Sequence, residues 1–541
     1  MLWAAGNRDP EFFERPDTCL FQTTCEADDV WERDPYLPRS LCGATLARVM
    51  LEAVVAPDIW IKLTVEPPAW IPRSIIRQLN LLTSDRDARL SKGTPMNPLE
   101  QDKRHHLHPL TNPKALAEAG PEMFTRAEGT YLYTSDGRRF LDAASGLCNV
   151  NIGYGNPRLC EAAFKTMQQL SFGYTVIGRS NPWVAALSAK LAEITPEQFQ
   201  HFFFASSGSE AIESAVKIAL RYWRLRGKPE KRAIISRRLS YHGNTLFAAS
   251  LTANSENYHT QFGLPISDRI HYADSPYWYR DGKGRSKEEF GLQVACALEK
   301  QILEIGPENI AAMVGDPIQS GGGMIIPPTT YWPEVRRICD RYDILLIADE
   351  IQSCFGKTGR MFGFECFDYE PDLFAMAKGL ASGYFPISGV AVNNRVYEVL
   401  LKADEVLAHL FTNCGHPVGA AVALENIAVI QEQGLVDRVR DEIGPYFSHR
   451  LQEFAKFSCV GEIRSIGVFG AIDIDLAKTG QSVTKAERND VMDRIARAAW
   501  NRGLIIRSNG ICLPMTITKE QIDVGIDVLK ESMTEVFSTA C

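Results

Sequence analysis

The sequence predicts an α/β fold, a mostly parallel sheet covered by helices on both faces, with a site along the carboxyl ends of its strands. Three observations carry this. Short apolar runs at 201–205, 233–236, 310–314 and 344–348 are each followed by a loop and a helical pattern. Runs this apolar suit strands buried on both faces, as in a parallel sheet. Small or polar residues stand where the runs give out: Ser206, Ser207, Gly208 and Ser209, then Tyr241 and His242, then Asp316, then Asp349 and Glu350.

Length and composition bound the rest. At 541 residues the chain exceeds one ordinary core, so two or three domains are expected. Apolar content of 45% and charged content of 23% are those of an ordinary globular enzyme. A net charge of -8 argues against nucleic acid or an anionic membrane as partner. Thirteen cysteines with no CxxC pair point to a reducing, cytoplasmic setting and free thiols. No apolar run reaches the length of a spanning helix.

Residues 1–95 stand apart. The first 40 are rich in Asp, Glu, Arg, Pro and Cys and carry neither signal-peptide nor transit-peptide character. They read as an extension of weak structure, or as a stretch not made if translation starts at Met96. Next, His105, His106 and His108 crowd three histidines before Pro109. That spacing surrounds one ion poorly and no Cys or carboxylate set accompanies it, so no metal site is expected. Ser135, Asp136 and Gly137 mark a hairpin between 131–133 and 139–141. Helices are expected over 157–170 and 182–194 from their apolar 3–4 spacing.

The run 201–205 leads into a small polar turn and a helix over 211–224. Such a strand, turn and helix offers backbone N–H groups and a positive helix end to an anion, which makes Ser207, Gly208 and Ser209 phosphate candidates. A serine N-cap on an ordinary turn is the plainer reading, and Glu210 is read as structural. Tyr241 has a ring that could cover a cofactor face. His242 is read equally as a packed core residue or a cofactor contact. Residues 272–290 read as a long loop with a charged insert, followed by a helix over 290–305. Beyond 388–392, helices are expected over 418–431, 436–454 and 519–537, with strands over 460–467, 469–474 and 503–508. Arg464 is read as a structural cation at a domain junction.

The chemistry concentrates between 344 and 379. One apolar run stops on Asp349 and Glu350, and a second, at 373–377, stops on Lys378 and Gly379, with a glycine-broken loop at 355–360 between them. An amine at the edge of an apolar site has a depressed pKa and becomes nucleophilic. A carbonyl cofactor is its natural partner: pyridoxal phosphate would form a Schiff base with Lys378 while Asp349 keeps the pyridine nitrogen protonated. A buried strand end with a surface ion pair is the alternative.

Asp349, Glu350, Ile351 and Gln352, with Gly356, Thr358, Gly359, Arg360, Pro371, Asp372, Lys378 and Gly379, resemble the signature of the class III, pyridoxal-phosphate-dependent aminotransferases. The likeness runs from about 105 to about 528 and leans toward the ω-amino-acid or amine:pyruvate transaminases. It implies fold type I: a large domain, 146–395, with a seven-stranded sheet, and a smaller α+β domain from both chain ends, 96–145 and 396–541. It implies a homodimer with shared active sites. It places Ile351 against one ring face and Tyr241 on the other, and gives Thr412 to the phosphate of the partner's cofactor. Cys148 falls where amine transaminases often carry Trp, leaving a roomier wall, and Arg507 falls where an arginine meets substrate carboxylates. Asp316 replaces the usual Glu, which puts its bracing role in doubt. The expected reaction moves an amino group from an amine or ω-amino acid to a keto acid such as pyruvate, in ping-pong fashion. An aminomutase, a decarboxylating transaminase, a non-catalytic pyridoxal-binding protein, or a chain dominated by an interaction module at 1–95 stay open. The residues at 110, 148 and 172–177 do not rank putrescine, β-alanine and an aryl amine as donors.

Overall fold

A computed structural model describes residues 97–253, 256–479, 485–508 and 510–538, so the expectations for 1–95 lie outside the described residues. β1 (Phe124–Glu128), β2 (Tyr131–Thr134) and β3 (Arg139–Asp142) form an antiparallel meander. Its tight turn is set by Gly137, whose φ of 88° is left-handed, as a hairpin there requires.

Seven strands build the central sheet: β4 (Phe199–Ala205), β5 (Ala233–Arg237), β6 (Ile270–Ala273), β7 (Ile310–Gly315), β8 (Leu345–Asp349), β9 (Leu373–Met376) and β10 (Ser388–Asn393). Their order is β4-β10-β9-β8-β7-β5-β6. β10 runs antiparallel to both its neighbours; β9, β8, β7, β5 and β6 pair in parallel. The two-residue period of the strands divides their side chains between separate cores. Ala312, Val314, Leu345 and Ile347 join one cluster with the helix Gly208–Leu225. Met313, Leu346 and Ala348 join the other, which holds Phe290, Leu298 and Trp332 from the helices Lys287–Ile305 and Tyr331–Arg341. Every residue of β7 and β8 is therefore buried, which is why both read as unbroken apolar runs.

The smaller sheets draw on the far end of the chain. β11 (Val460–Ile466) and β12 (Phe469–Ile474) form a hairpin. Gly467 turns it with φ 55°, and a Cβ there would sit 2.2 Å from the Lys357 carbonyl oxygen, so no other residue fits. β13 (Leu504–Ile505) adds in parallel to β3, and β14 (Ile511–Cys512) pairs with β12. Residues near 140 and near 510 thus share one neighbourhood: Cys512 N–H donates to the Ala143 carbonyl at 2.9 Å.

Several expectations change. Residues 272–290 contain part of β6, the short helix Trp278–Asp281 and the start of the helix Lys287–Ile305. β6 is a four-residue edge strand with His271 and Tyr272 half-buried, so it lacks an apolar run. The helix starts early because Ser286 and Glu289 form a capping box. The stretch 436–454 is helical but not one α-helix: Val439–Ile443 is a π segment just before Gly444 and Pro445. Pro445 has no N–H to give the preceding turn, and the ladder resets there. The strand expected over 503–508 shortens to Leu504–Ile505, with Arg507 in an isolated bridge to Gly510. Arg464 is buried, and its guanidinium meets Glu462, Asp473 and the Tyr277 hydroxyl. Among the described residues, no helix is long and apolar enough to cross a membrane.

Candidate active site

The cavity at the carboxyl edge of the sheet measures about 700 Å³. Lys378, Asp349, Tyr241, His242, Ile351 and the turn Ser207, Gly208 and Ser209 all line it, together with Arg507 and Asp316. The topology explains the convergence. β4, β5, β7, β8 and β9 all end at this edge, and β10 begins there, its Ser388 hydroxyl donating to the Ser207 carbonyl at 2.7 Å.

Asp349 and Glu350 are neighbours with opposite destinations. Asp349 faces the cavity; its Oδ2 lies 2.7 Å from His242 Nδ1, and its Oδ1 accepts from the Ile351 N–H at 3.1 Å. Glu350 is fully buried and accepts from the Ser353 hydroxyl at 2.7 Å and the N–H groups of Gly363 and Phe364 at 2.8 and 2.7 Å. It ties the glycine-broken loop to the end of β8. Glu350→Ala leaves those donors buried without an acceptor, and the expected loss of stability is on the order of 3 kcal/mol. Urea unfolding of the two proteins measures it, and a difference under about 1 kcal/mol would contradict this role.

Lys378 follows β9 with φ 38°, a left-handed conformation that a lysine adopts only under constraint. Burial, and next the positive charge of Arg507, lower its amine pKa below the ordinary lysine value, against the pull of Cys148 and Asp349. The amine is thereby biased toward its nucleophilic, neutral form.

Ser207 is the N-cap of the helix Gly208–Leu225 in a capping box with Glu210, whose carboxylate accepts from the Ser206 and Ser207 N–H groups at 2.8 and 3.0 Å. The cap leaves room for an anion, because the first-turn N–H groups of Gly208 and Ser209 have no partner within the helix. The Ser209 hydroxyl accepts from Asn244 N–H at 3.0 Å, which draws the Tyr241–His242 loop over the turn. A Cβ on Gly208 would lie 2.9 Å from the Ile351 side chain.

Thr412, expected at the partner's cofactor, is exposed and outside the lining of this chain's own cavity. One expected wall position does fall elsewhere. Cys148 is fully buried behind the wall, and Leu147 and Asn149 line the cavity in its place. Arg507 Nη1 nonetheless donates to the Cys148 sulfur at 3.0 Å, so Arg507 and Cys148 meet. Asp102 joins His106 and His108, the described group whose donor atoms lie within 4.8 Å of one another, through hydrogen bonds of 3.1 and 2.5 Å. The carboxylate absent from the sequence reading arrives from the helix Pro98–His105.

Sequence reasoning missed Arg237. It ends β5 fully buried, donates to Asp316 Oδ1 at 2.9 Å, and lies over the Trp332 ring at 4.7 Å. Asp316 is also held by the Ser240 hydroxyl at 3.1 Å, so the short acid anchors the loop after β5. A charged residue closing an otherwise apolar strand was the available signal. Lys357 was missed too: it is fully buried, with Nζ donating to Cys512 Sγ and Ser145 Oγ, both at 3.0 Å.

This arrangement at the carboxyl edge of a mostly parallel sheet suits a pyridoxal-phosphate enzyme of fold type I. The family model "Aminotransferase class-III" matches residues 116–533, and the chain belongs to that family. It is 41% identical over 435 residues to a putrescine–pyruvate aminotransferase of Pseudomonas aeruginosa, covering 80% of this chain and 94% of that one. It resembles an (S)-enantioselective ω-transaminase from Thermomicrobium roseum with TM-score 0.77 and 37% identity over 81% of this chain and 98% of that one. It resembles the ω-transaminase of Pseudomonas jessenii, solved in complex with PMP, with TM-score 0.79 and 34% identity over 82% and 99%. The protein is a transaminase that uses pyridoxal 5'-phosphate.

Proposed function

We propose that this transaminase moves an amino group from an amine or ω-amino acid to pyruvate or a similar keto acid. The observation that carries the reading is the meeting of Lys378, Asp349 and Arg507 in one cavity. The residues fit the cofactor: Lys378 and Asp349 share the lining with the helix-end turn at Ser207, Gly208 and Ser209, which suits a phosphate. When bound, pyridoxal phosphate supplies a reactive carbonyl and a ring that accepts electrons. Asp349 would hold a proton at the ring nitrogen, with His242 fixing its carboxylate. Tyr241 and Ile351 would flank the ring, and Ser207, Gly208 and Ser209 would hold the phosphate. Lys378 Nζ would move the proton at the amine-bearing carbon, as general base and then acid. Arg507 would receive the keto acid's carboxylate.

The assembly in this reading is a homodimer, with Thr412 reaching the partner's cofactor phosphate. Leu110 and Leu147 support it: both line the cavity and are 96% and 71% exposed, apolar surface that a second copy would cover. We assign 146–395 to the large domain, 96–145 and 396–541 to the small one, and the protein to the cytoplasm. The likeness to a putrescine–pyruvate aminotransferase favours a diamine donor. A panel of putrescine, β-alanine and an aryl amine with pyruvate, read as alanine formed, tests the reaction. Alanine is expected from at least one donor; no alanine from any of them would refute it.

A further inference from the structure

An arginine in the wall of an amine-binding cavity poses an electrostatic problem. It attracts a carboxylate but repels the ammonium tail of a diamine. Arg507 does not face the cavity alone, because its Nη1 is held from behind by the Cys148 sulfur at 3.0 Å. The loop that delivers Cys148 is strained: Ser145 and Cys148, neither of them glycine, have φ of 50° and 59°. Such backbone persists only where its surroundings fix it. Here Asp142 accepts from the Ala144 and Gly146 N–H groups at 3.0 and 2.6 Å, and the Ser145 hydroxyl donates to the Val150 carbonyl at 2.7 Å.

Behind Cys148 lies Cys512, fully buried, and Lys357 Nζ donates to the Cys512 sulfur at 3.0 Å. The row therefore runs from one cation, through two thiols, to a second cation. The Cys512 hydrogen bond first, and then Arg507, Lys378 and Lys357, hold the Cys148 thiol well below the ordinary thiol range against its burial. Burial and the neighbouring Cys148 push the Cys512 thiol well above it. Of the two sulfurs, the one that meets Arg507 is therefore the more acidic.

We propose that Cys148 is a positioning residue that sets donor specificity: by pairing with Arg507 from behind the wall, it lets one cavity accept both a diamine and a keto acid. Cys148 touches no substrate and acts through Arg507. The proposal rests on the amine:keto-acid reading above.

Cys148→Ser keeps a hydrogen-bonding partner for Arg507 and replaces an acidic thiol with a hydroxyl that does not ionise. The two half-reactions, followed separately by the cofactor's absorbance, read the effect. With putrescine, kcat/KM should fall at least about tenfold, with the loss concentrated in KM, while with pyruvate it changes by less than about threefold. In an Arg507→Ala background the same substitution should have no further effect. Equal losses in both half-reactions, or an undiminished loss in that background, would overturn the proposal. A second readout needs no turnover: the ultraviolet thiolate signal lost in Cys148→Ser should titrate below the ordinary thiol range in the wild-type holoenzyme and move up in Arg507→Ala. An unmoved titration overturns the pairing. Alanine absent in the donor panel, with the titration shift present, would refute the donor reading and leave the pair intact.

Discussion

Lys378→Ala protein is expected to fold, to lose the visible absorbance of its linked cofactor, and to fall in transaminase activity by about 10⁴-fold or more, the upper range for removing a positioned proton-transfer group. The expectation follows from two features of the amine. It sits at the end of β9 in a left-handed backbone, held by the strand on one side and the turn Lys378–Leu380 on the other. Its environment lowers its pKa through burial and the charge of Arg507. Alanine keeps the backbone and removes only the nitrogen, so far-ultraviolet circular dichroism should match the wild type. The sign of the pH effect follows. Because the amine's pKa lies below the usual lysine value, the neutral form is reached at lower pH than for a free lysine. Arg507→Ala removes a charge that lowers it, so the ascending, acid-side limb of the half-reaction with an amine should shift to higher pH in that variant. An unshifted or downward limb would show that Arg507 does not act on Lys378.

The second large effect belongs to Asp349→Asn. The substitution preserves shape and can still accept from His242, but it removes the anion at the ring end of the cavity. The expected fall in kcat is about 10²–10³-fold, the range for removing one preorganised electrostatic group. Thermal stability should change little, because the side chain keeps its size and its contact with His242. The measurement is kcat with cofactor in excess, so that weakened cofactor binding is not counted as lost turnover. A loss under about tenfold would remove Asp349 from the role proposed for it.

Much of this was legible in the amino-acid sequence because the central strands are buried on both faces. Residues 310–314 and 344–348 announce themselves as apolar runs, and the helices starting at Pro157 and Pro182 carry Asn caps and proline at the first turn. β6 escaped because an edge strand packs on one side only. The break at Gly444 and Pro445 was masked by the apolar spacing on both sides of it. An N-cap at Ser207 does not exclude an anion site at the same helix end, since capping uses some of its N–H groups and leaves others. Arg237 and the sulfur row are long-range: Cys148, Lys357, Cys512 and Arg507 come together only because β13 pairs with β3 and β14 with β12, and no local pattern encodes that. Cys148 looked like a wall residue by position alone; its strained loop turns the side chain inward instead.

The central claim is that the amine after β9 holds the cofactor. Lys357 offers a sharp rival, being a fully buried lysine whose Nζ lies 3.0 Å from Cys512. Borohydride reduction of the holoenzyme, followed by digestion and peptide mass mapping, reports which lysine is linked. The account predicts the pyridoxyl mass on the peptide containing Lys378 alone; its appearance on the Lys357 peptide, or on no lysine, would contradict it.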